Sequence, residues 1–380
     1  MHRHSRDPNV AWRDLLLSPY TVPADSAHSP TVDRGRAYMD TTAEDNRYRT
    51  STENQCDSES LCRETPFQTK QDQVRILTLE EATKLENDSD LVSEFKQLKL
   101  EREAQKNWDL FYKRNTTNFF KDRHWTTREF EELKACRQFE DQRLNVLEAG
   151  CGVGNCLFPL VEEDPRLFIY ACDFSPRAIE FVKQNPAYSE ETCKAFQCDL
   201  TKDDLRNNVA ADSVDVATLI FVLSAIHPDN MHHAVKNIYK VLKPGGCVLF
   251  RDYGLHDYAM LRFKSGSKLG DNFYVRQDGT RSYFFTKEYL LQLFSAAGYE
   301  EVSNEYVFRE TVNKKEGLCV PRVFLQKRWT DICLKQILIM FYLLPTMMGK
   351  TGIAKNPKYL KLYNHQRALL LLASIRICDP

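Results

Sequence analysis

Short apolar runs alternate with helical segments through the middle of the chain. Strand-like runs cover 144–149, 167–172, 193–198, 214–223 and 247–250. Plausible helices lie between them at 179–183 and 231–242. Strands that alternate with helices are typical of βαβ units and a parallel sheet. Two later runs, 304–312 and 317–326, flank a turn-like segment at 313–316 and predict an antiparallel hairpin. The expected fold is therefore α/β, with a seven-stranded, mostly parallel sheet and an antiparallel edge hairpin.

The pattern before the first of these strands is different. Residues 1–72 are rich in Ser, Thr, Asp and Asn without a sustained period, so we expect a disordered extension. A capping-box pattern at Thr78–Glu81 predicts a helix start. Apolar positions Leu91, Phe95 and Leu98 then repeat at helical spacing and predict an apolar helical face that continues to Trp108 and Tyr112. This face belongs to a helical region over 73–143, which we expect to act as a lid or to bind the substrate.

The composition changes again after Gln326. Residues 327–380 carry nine basic and two acidic residues with two Leu-rich runs, and we expect a tail that does not extend the sheet. The run 337–344 is too short to span a bilayer, which favours a buried or interfacial helix over a membrane anchor. The expected organisation is an extension (1–72), a helical region (73–143), a sheet domain (144–326) and a tail (327–380) of unassigned role.

Overall composition is that of a globular protein, with 42% hydrophobic and 28% charged residues. The net charge of −1 provides no global field for a polyanion, so a nucleic-acid surface would have to be a local patch. Twelve scattered cysteines without a C-x-x-C pair indicate reduced thiols rather than a zinc or redox site, and no metal is expected. The first residues lack the pattern of a signal peptide. We therefore expect a cytoplasmic or nuclear protein without stable membrane association.

A glycine turn follows the first predicted strand. Gly150, Gly152 and Gly154 form G-x-G-x-G after Glu148, which is not the G-x-G-x-x-G spacing of dinucleotide dehydrogenases. Such a turn lets the backbone approach a nucleotide ligand, although any one glycine could simply form a tight turn.

Two acids close the next two strands. Asp173 is placed to accept both hydroxyls of a ribose, and Asp199 is within reach of an adenine amino group. Each acid alone is more often a helix cap or turn residue. Together with the glycine turn they resemble a class I, Rossmann-like methyltransferase that uses S-adenosylmethionine, with Gly150 and Gly152 in the cofactor cradle.

The segment around the end of the fourth strand restricts which atom the enzyme can methylate. This segment, Ile220–Pro228, lacks the Asn/Asp-Pro-Pro-Tyr/Phe motif that is typical of amino-group methyltransferases of nucleic acids. Nothing in the sequence resembles the paired Cys motifs of cytosine carbon-5 enzymes. His227 precedes Pro228 and is more readily interpreted as a structural cap than as a base.

Four stretches carry a more specific resemblance. They are 106–113, 118–125, 147–155, and 250–254 with 272–281. They resemble the methyltransferase-like family that makes 3-methylcytidine in tRNA, over about Val74 to Gln326. The resemblance implies an enzyme that methylates cytidine 32 of the anticodon loop, with serine tRNAs as substrates and seryl-tRNA synthetase as partner. It also implies a set of cofactor positions: Trp108, Tyr112, Gly150, Asp173, Asp199, Leu200 and Ile220.

Two surfaces are candidates for tRNA contact. Between Lys106 and Arg128 lie six basic and two acidic residues interleaved with aromatics, which suits phosphate contact and base stacking but also suits a solvated basic face. The second surface accompanies the insertion at 253–285, which adds further Arg and Lys residues. The predicted contacts are Phe119, Phe120, Lys121, Arg123, His124, Trp125, Arg251, Arg276 and Arg281. On the leading helix, Trp108 and Tyr112 share a face and would form either a lid over the cofactor or a hydrophobic docking surface.

Cytosine N3 has an unprotonated lone pair at neutral pH, so methyl transfer to it needs no general base. A cationic product forms, and Asp252 is the candidate carboxylate that stabilises it or orients the base, with an ion pair to Arg251 as the structural alternative. Three other functions compete with this interpretation. They are a methyltransferase for protein or small molecules, a non-catalytic tRNA-binding module, and an NAD-dependent oxidoreductase, which the glycine spacing disfavours.

Overall fold

The computed structural model describes residues 69–137, 143–313 and 318–331. The strands are β1 (Thr69–Gln71), β2 (Asn145–Ala149), β3 (Phe168–Asp173), β4 (Cys193–Gln197), β5 (Val214–Ile220), β6 (Leu242–Tyr253), β7 (Lys268–Gly270), β8 (Phe273–Val275), β9 (Arg281–Tyr283), β10 (Tyr299–Asn313) and β11 (Leu318–Asp331). The α-helices are α1 (Leu79–Glu86), α2 (Glu94–Arg102), α3 (Ala104–Asn115), α4 (Thr126–Glu129), α5 (Leu157–Glu163), α6 (Pro176–Gln184), α7 (Pro228–Tyr239), α8 (Tyr258–Leu261) and α9 (Lys287–Ala297).

The predicted α/β fold is confirmed. The main sheet has the order β1-β10-β11-β6-β5-β2-β3-β4, in which β2 to β6 are parallel and the β10–β11 hairpin is antiparallel. Its eighth strand is β1, which pairs antiparallel with β10 and belongs to the segment expected to be disordered. Residues 1–68 of that expected extension lie outside the described residues. A separate sheet of β7, β8 and β9 forms within the predicted insertion.

The central strands are apolar because helices cover them. In β5, six of the seven residues are buried, as the near-continuous apolar run predicts for a parallel strand. The helix α7 buries Met231, Val235 and Ile238 against the same core. The strand β6 begins at Leu242, earlier than predicted, because residues 244–246 stay in the strand and a register shift in its pairing with β5 absorbs them.

The prediction of one apolar face from Leu91 through Phe95 and Leu98 to Trp108 and Tyr112 is wrong. Leu91, Phe95 and Leu98 are 59%, 79% and 65% exposed. The helical region breaks at Glu103, between α2 and α3, so the two helices do not share one continuous face. The helix α2 has no buried residue, whereas α3 buries Phe111 and Tyr112. The capping box at Thr78 and Glu81 is confirmed at the start of α1.

The predicted end of the sheet at Gln326 is also wrong, because β11 continues to Asp331. Trp329 is fully buried and stacks on Phe294, with ring centroids 4.5 Å apart. Lys327 is buried as well, and its Nζ donates to the carbonyl of Lys287 at 2.9 Å. These residues therefore belong to the core, and the rest of the predicted tail, 332–380, lies outside the described residues. Among the described helices, none combines the length and apolar character that crossing a bilayer requires.

Replacing Trp329 by Ala should destabilise the domain by about 3–5 kcal/mol, because it leaves a cavity beside Phe294. Chemical denaturation with a fluorescence or circular dichroism readout measures this. As a control, Val302→Ala on the exposed part of β10 should change stability by less than about 0.5 kcal/mol. Equal, small effects of both substitutions would contradict the placement of Trp329 in the core.

Candidate active site

The site lies where the strand order reverses. From the central strand β2 the chain proceeds to β3 and β4 on one side, whereas β5 and β6 lie on the other. Open α/β sheets bind ligands at such a point, at the carboxyl ends of the strands. The turn that follows β2 and the segment that follows β5 meet here. A Cβ on Gly150 would lie 2.6 Å from Cγ2 of Val222, and Gly150 has φ +69°, so this position requires glycine.

Two adjoining cavities open at this point. The smaller has a volume of about 180 Å³ and is lined by Asp173, Asp199 and Leu200 among others. The larger, of about 330 Å³, is lined by aromatic and basic residues that include Phe119, Phe120 and Arg276. The two cavities share a wall. It consists of Trp108, Tyr112, Gly150, Phe221, Ala225 and Arg281.

Backbone amides hold Asp173 at the wall of the smaller cavity. Its Oδ2 accepts a hydrogen bond from the Gly152 amide and its Oδ1 from the Ser175 amide, both at 2.9 Å. Burial raises its pKa to about 6, while these two amides act in the opposite direction. The carboxylate is therefore ionised at neutral pH, and each oxygen retains acceptor capacity for a ligand hydroxyl.

Asp199 lines the same cavity, but its pKa is shifted in the opposite direction. Burial alone would raise its pKa, but hydrogen bonds from Thr201 and Lys202 outweigh burial and hold the pKa below its usual value. The Thr201 hydroxyl donates to its Oδ1 at 2.6 Å and the Lys202 ammonium to its Oδ2 at 3.0 Å. These contacts fix the orientation of the carboxylate at the wall of the cavity.

The helix α3 covers both cavities. Tyr112 is buried, and its hydroxyl would lie 3.0 Å from a Cβ on Gly152. Trp108 packs on Tyr112, with centroids 6.0 Å apart. The two predicted roles of this pair, lid and docking surface, coincide in the geometry, because both rings line the cavities and both belong to a cluster that packs α3 on the domain.

Two contacts fix the helix in this position. Asp109 accepts hydrogen bonds from Ser175 Oγ at 3.0 Å and Arg177 Nε at 3.2 Å, at the start of α6. On the other side, the Asn107 amide donates to the carbonyl of Gly279 at 3.2 Å. The helix is therefore held across the mouths of the cavities from both sides.

Of the residues between Lys106 and Arg128 that were predicted to contact tRNA, some are accessible in the structure and others are buried. Phe119 and Phe120 line the larger cavity, and Lys121 and His124 are exposed beside them. Trp125 is 1% exposed, so the prediction that it stacks on a tRNA base is wrong. Alternating basic and aromatic residues look the same in sequence whether they face solvent or pair internally.

Arg251 shows such internal pairing. It is fully buried, with its guanidinium 4.5 Å from the Trp125 ring and 5.3 Å from the Phe324 ring. Its Nη1 donates to Gln326 Oε1 at 3.1 Å. The prediction that Arg251 contacts tRNA is therefore wrong, since the neighbouring β11 and the Trp125 ring enclose the side chain.

The remaining predicted arginines line the larger cavity but are committed to protein contacts. Arg123 is half-buried and donates from Nη1 to the carbonyl of Ile220 at 3.0 Å. Arg276 donates to the carbonyl of Arg281 at 2.7 Å and to Ser282 Oγ at 3.0 Å. Arg281 is 5% exposed and pairs with Glu101. Each therefore shapes the cavity wall as well as giving it positive charge.

Two predicted residues lie behind the walls rather than on them. Ile220, a predicted cofactor residue, is 3% exposed, and its carbonyl is the group that Arg123 fixes. Asp252, the predicted catalytic carboxylate, is fully buried and accepts from the amides of Ser224 at 3.0 Å and Tyr253 at 2.8 Å. Asp252 is therefore too enclosed to touch a base in the larger cavity, and its predicted role in stabilising the product or orienting the base stays a prediction. Ser224 and Tyr253 do line the larger cavity, so Asp252 holds its wall in place.

Comparison with known proteins decides the family. A model described as a methyltransferase domain matches residues 147–248. The tRNA N(3)-cytidine methyltransferase METTL6 of Homo sapiens is 77% identical over 257 residues, covering 68% of this chain and 90% of the human protein. The chain belongs to the tRNA N(3)-cytidine methyltransferase family. Two more distant members are similar as well. METTL2 of Danio rerio is 40% identical over 65% of this chain and 79% of its own length, and trm141 of Schizosaccharomyces pombe is 43% identical over 63% and 98%.

S-adenosylmethionine is the cofactor of this methyltransferase domain, and the smaller cavity suits it. Gly150 presents bare backbone to the wall of this cavity, and Asp173 offers acceptors for ribose hydroxyls. Leu200 gives the cavity an apolar surface for a base, next to the polar Asp199. These residues would hold the nucleoside of the cofactor, as predicted from the family resemblance.

Sequence reasoning missed several members of the methyltransferase site. The larger cavity also contains Phe111, Asn115, Phe221, Ser224 and Gln277. Phe221 follows β5 directly and Ser224 lies in the short turn Leu223–Ala225 after it, and this position beyond a central strand was the available signal. Gln277 lies in the turn between β8 and β9, and its proximity to α3 depends on how the insertion folds back.

Asp173→Asn should weaken binding of S-adenosylmethionine by about 1.5–3 kcal/mol, because a charged acceptor is lost. In the unmodified protein, affinity should fall as the pH is lowered through about 6, since protonation of Asp173 removes the acceptor that the ribose needs. Isothermal titration calorimetry between pH 5 and 8 tests both points. Asp173→Asn should flatten the pH dependence, and a variant that keeps the full dependence would contradict this assignment.

Proposed function

We propose that the chain transfers the methyl group of S-adenosylmethionine to N3 of cytidine 32 in the anticodon loop of serine tRNAs, with seryl-tRNA synthetase as partner. The observation that carries the proposal is the shared wall between the two cavities. The smaller cavity has a polar lining that suits a nucleoside, and the larger cavity is lined by aromatic and basic residues. The two meet at Trp108, Tyr112 and Phe221. A base that enters the larger cavity would therefore reach the reactive end of the cofactor.

Access to N3 of a cytidine requires the base to leave its stack. An anticodon loop presents unpaired bases that can be splayed out and packed on aromatic rings. Phe119 and Phe120 supply such rings in the larger cavity, with centroids 4.8 Å apart. Edge-to-face packing on Phe111 at 4.8 Å fixes Phe119, so the surface that would receive the base is rigid.

Methyl transfer to cytosine N3 requires that the base be positioned, but it does not require a proton to be removed. The bound cofactor supplies an electrophilic methyl group on a sulfonium. Because cytosine N3 already has a free lone pair, the residues of the chain need only hold the base in line and favour a cationic product. Burial raises the pKa of Asp252 to about 6, so its carboxylate is ionised at neutral pH. Its negative charge lies directly behind Ser224 and Tyr253, where it would favour that product.

Exposed cations line both cavities or adjoin lining residues in the chain. Arg102 lines the smaller cavity and Arg114 the larger, while the exposed Lys113 and Lys121 directly follow the lining residues Tyr112 and Phe120. Phosphate contacts of this kind orient a nucleic acid without reading its sequence. The patch therefore supports tRNA binding despite the net charge of −1 for the whole chain.

Incubating the purified protein with total tRNA and radiolabelled S-adenosylmethionine should label serine tRNAs, and nucleoside mapping should place 3-methylcytidine at position 32. Adding seryl-tRNA synthetase should raise the rate. A serine tRNA transcript with uridine at position 32 serves as the control and should stay unlabelled, because N3 of uridine carries a proton. Label in protein but not in tRNA, or at another nucleotide, would refute the proposal.

The double variant Lys113→Ala/Lys121→Ala should weaken tRNA binding and reduce the slope of log affinity against log salt by about 1.4–1.8, the value for two phosphate contacts. Affinity for S-adenosylmethionine should be unchanged. A matched control, Lys183→Ala/Lys236→Ala, removes the same charge from exposed positions on α6 and α7. Filter binding over a salt series tests this, and equal slopes for the two double variants would contradict the proposed tRNA surface.

A further inference from the structure

Phe221 has an unusual backbone conformation. Its φ is +59°, in the left-handed region that bulky side chains rarely adopt. Such a conformation persists where the surrounding structure enforces it, and it is concentrated at functional sites. The residue stands directly after β5, at the wall common to both cavities.

Three elements hold Phe221 in this conformation. Its amide donates to the carbonyl of Arg251 on β6 at 2.8 Å. The preceding carbonyl, of Ile220, accepts the hydrogen bond from Arg123 at 3.0 Å. The following residue, Val222, packs against the Cα of Gly150 so closely that a Cβ there would lie 2.6 Å away. The left-handed turn thus sends Val222 toward the glycine turn and Phe221 toward the cavities.

The ring of Phe221 is fixed as firmly as its backbone. Its centroid lies 5.2 Å from that of Tyr253 and 5.5 Å from that of Phe324, the latter edge to face. The guanidinium of Arg123 lies 5.5 Å from the ring. The side chain is nevertheless half-buried, because part of its surface remains open to both cavities. A residue that served only the core would have no need of this open position.

We propose that the Phe221 ring contacts the flipped cytidine and sets the position of N3 relative to the methyl group. This inference rests on the proposed function, since it takes a tRNA cytidine as the occupant of the larger cavity. The ring is apolar and cannot exchange a proton, so its contribution is to limit where the base can sit. Removing the ring would allow the base to settle in positions from which methyl transfer is slow.

The test compares three substitutions of Phe221. Phe221→Leu removes the aromatic surface, Phe221→Tyr retains it, and Phe221→Gly removes it while accepting φ +59° without strain. Single-turnover methylation of serine tRNA should slow by about tenfold or more in the Leu and Gly variants and stay within about threefold in the Tyr variant. Dissociation constants for S-adenosylmethionine and tRNA should change by less than about threefold in all of them.

Phe168→Leu is the matched control, because Phe168 is a half-buried aromatic residue at the opposite end of the parallel strands and should leave the rate unchanged. Wild-type rates in both Phe221→Leu and Phe221→Gly would overturn the inference. So would a parallel loss of S-adenosylmethionine affinity, which would assign Phe221 to the cofactor cavity alone. Failure of the wild-type protein to methylate tRNA would instead refute the proposed function, so the two failures are distinguishable.

Discussion

The contact between the turn after β2 and the segment after β5 is the constraint on which the site depends. Gly150 and Val222 approach each other so closely that no other residue fits at position 150. This contact brings the ends of the two central strands together, where the strand order reverses. Both cavities open around it, and Phe221 reaches their common wall because its neighbour Val222 is held against the turn.

Buried carboxylates give this site its electrostatic character. Burial raises the pKa of Asp173 and of Asp252 to about 6 and that of Glu148 to about 8. Asp173 and Asp252 keep their charge at neutral pH because backbone amides solvate them. Groups held in this way need little reorganisation during a reaction, which is how preorganised dipoles and charges favour methyl transfer. Asp173 and Asp252 are held rigidly because they belong to the strands β3 and β6 of the main sheet.

The helix α3 connects the sheet with the insertion. Asp109 joins it to the start of α6, and Asn107 joins it to the turn at Gly279. At its far end Arg114 lies 3.7 Å from Asp278 in the same turn. The aromatic residues of α3 therefore cover the cofactor cavity while its other contacts shape the larger cavity. One helix couples the two halves of the site.

The sequence alone determined the parallel strands, the glycine turn, and the acids Asp173 and Asp199, because these follow from local periodicity and from residues at strand ends. Tertiary structure decided which side chains of an alternating aromatic and basic stretch face inward. Arg251 and Trp125 pair inside the protein, whereas Phe119 and Phe120 line a cavity. It also decided that Trp329 belongs to the core and that Phe95 does not. Local pattern encodes the conformation of a segment, but whether a face is buried depends on the distant elements that pack against it. The left-handed turn at Phe221 has the same origin, since Arg123, Arg251 and Gly150 enforce it from other parts of the chain.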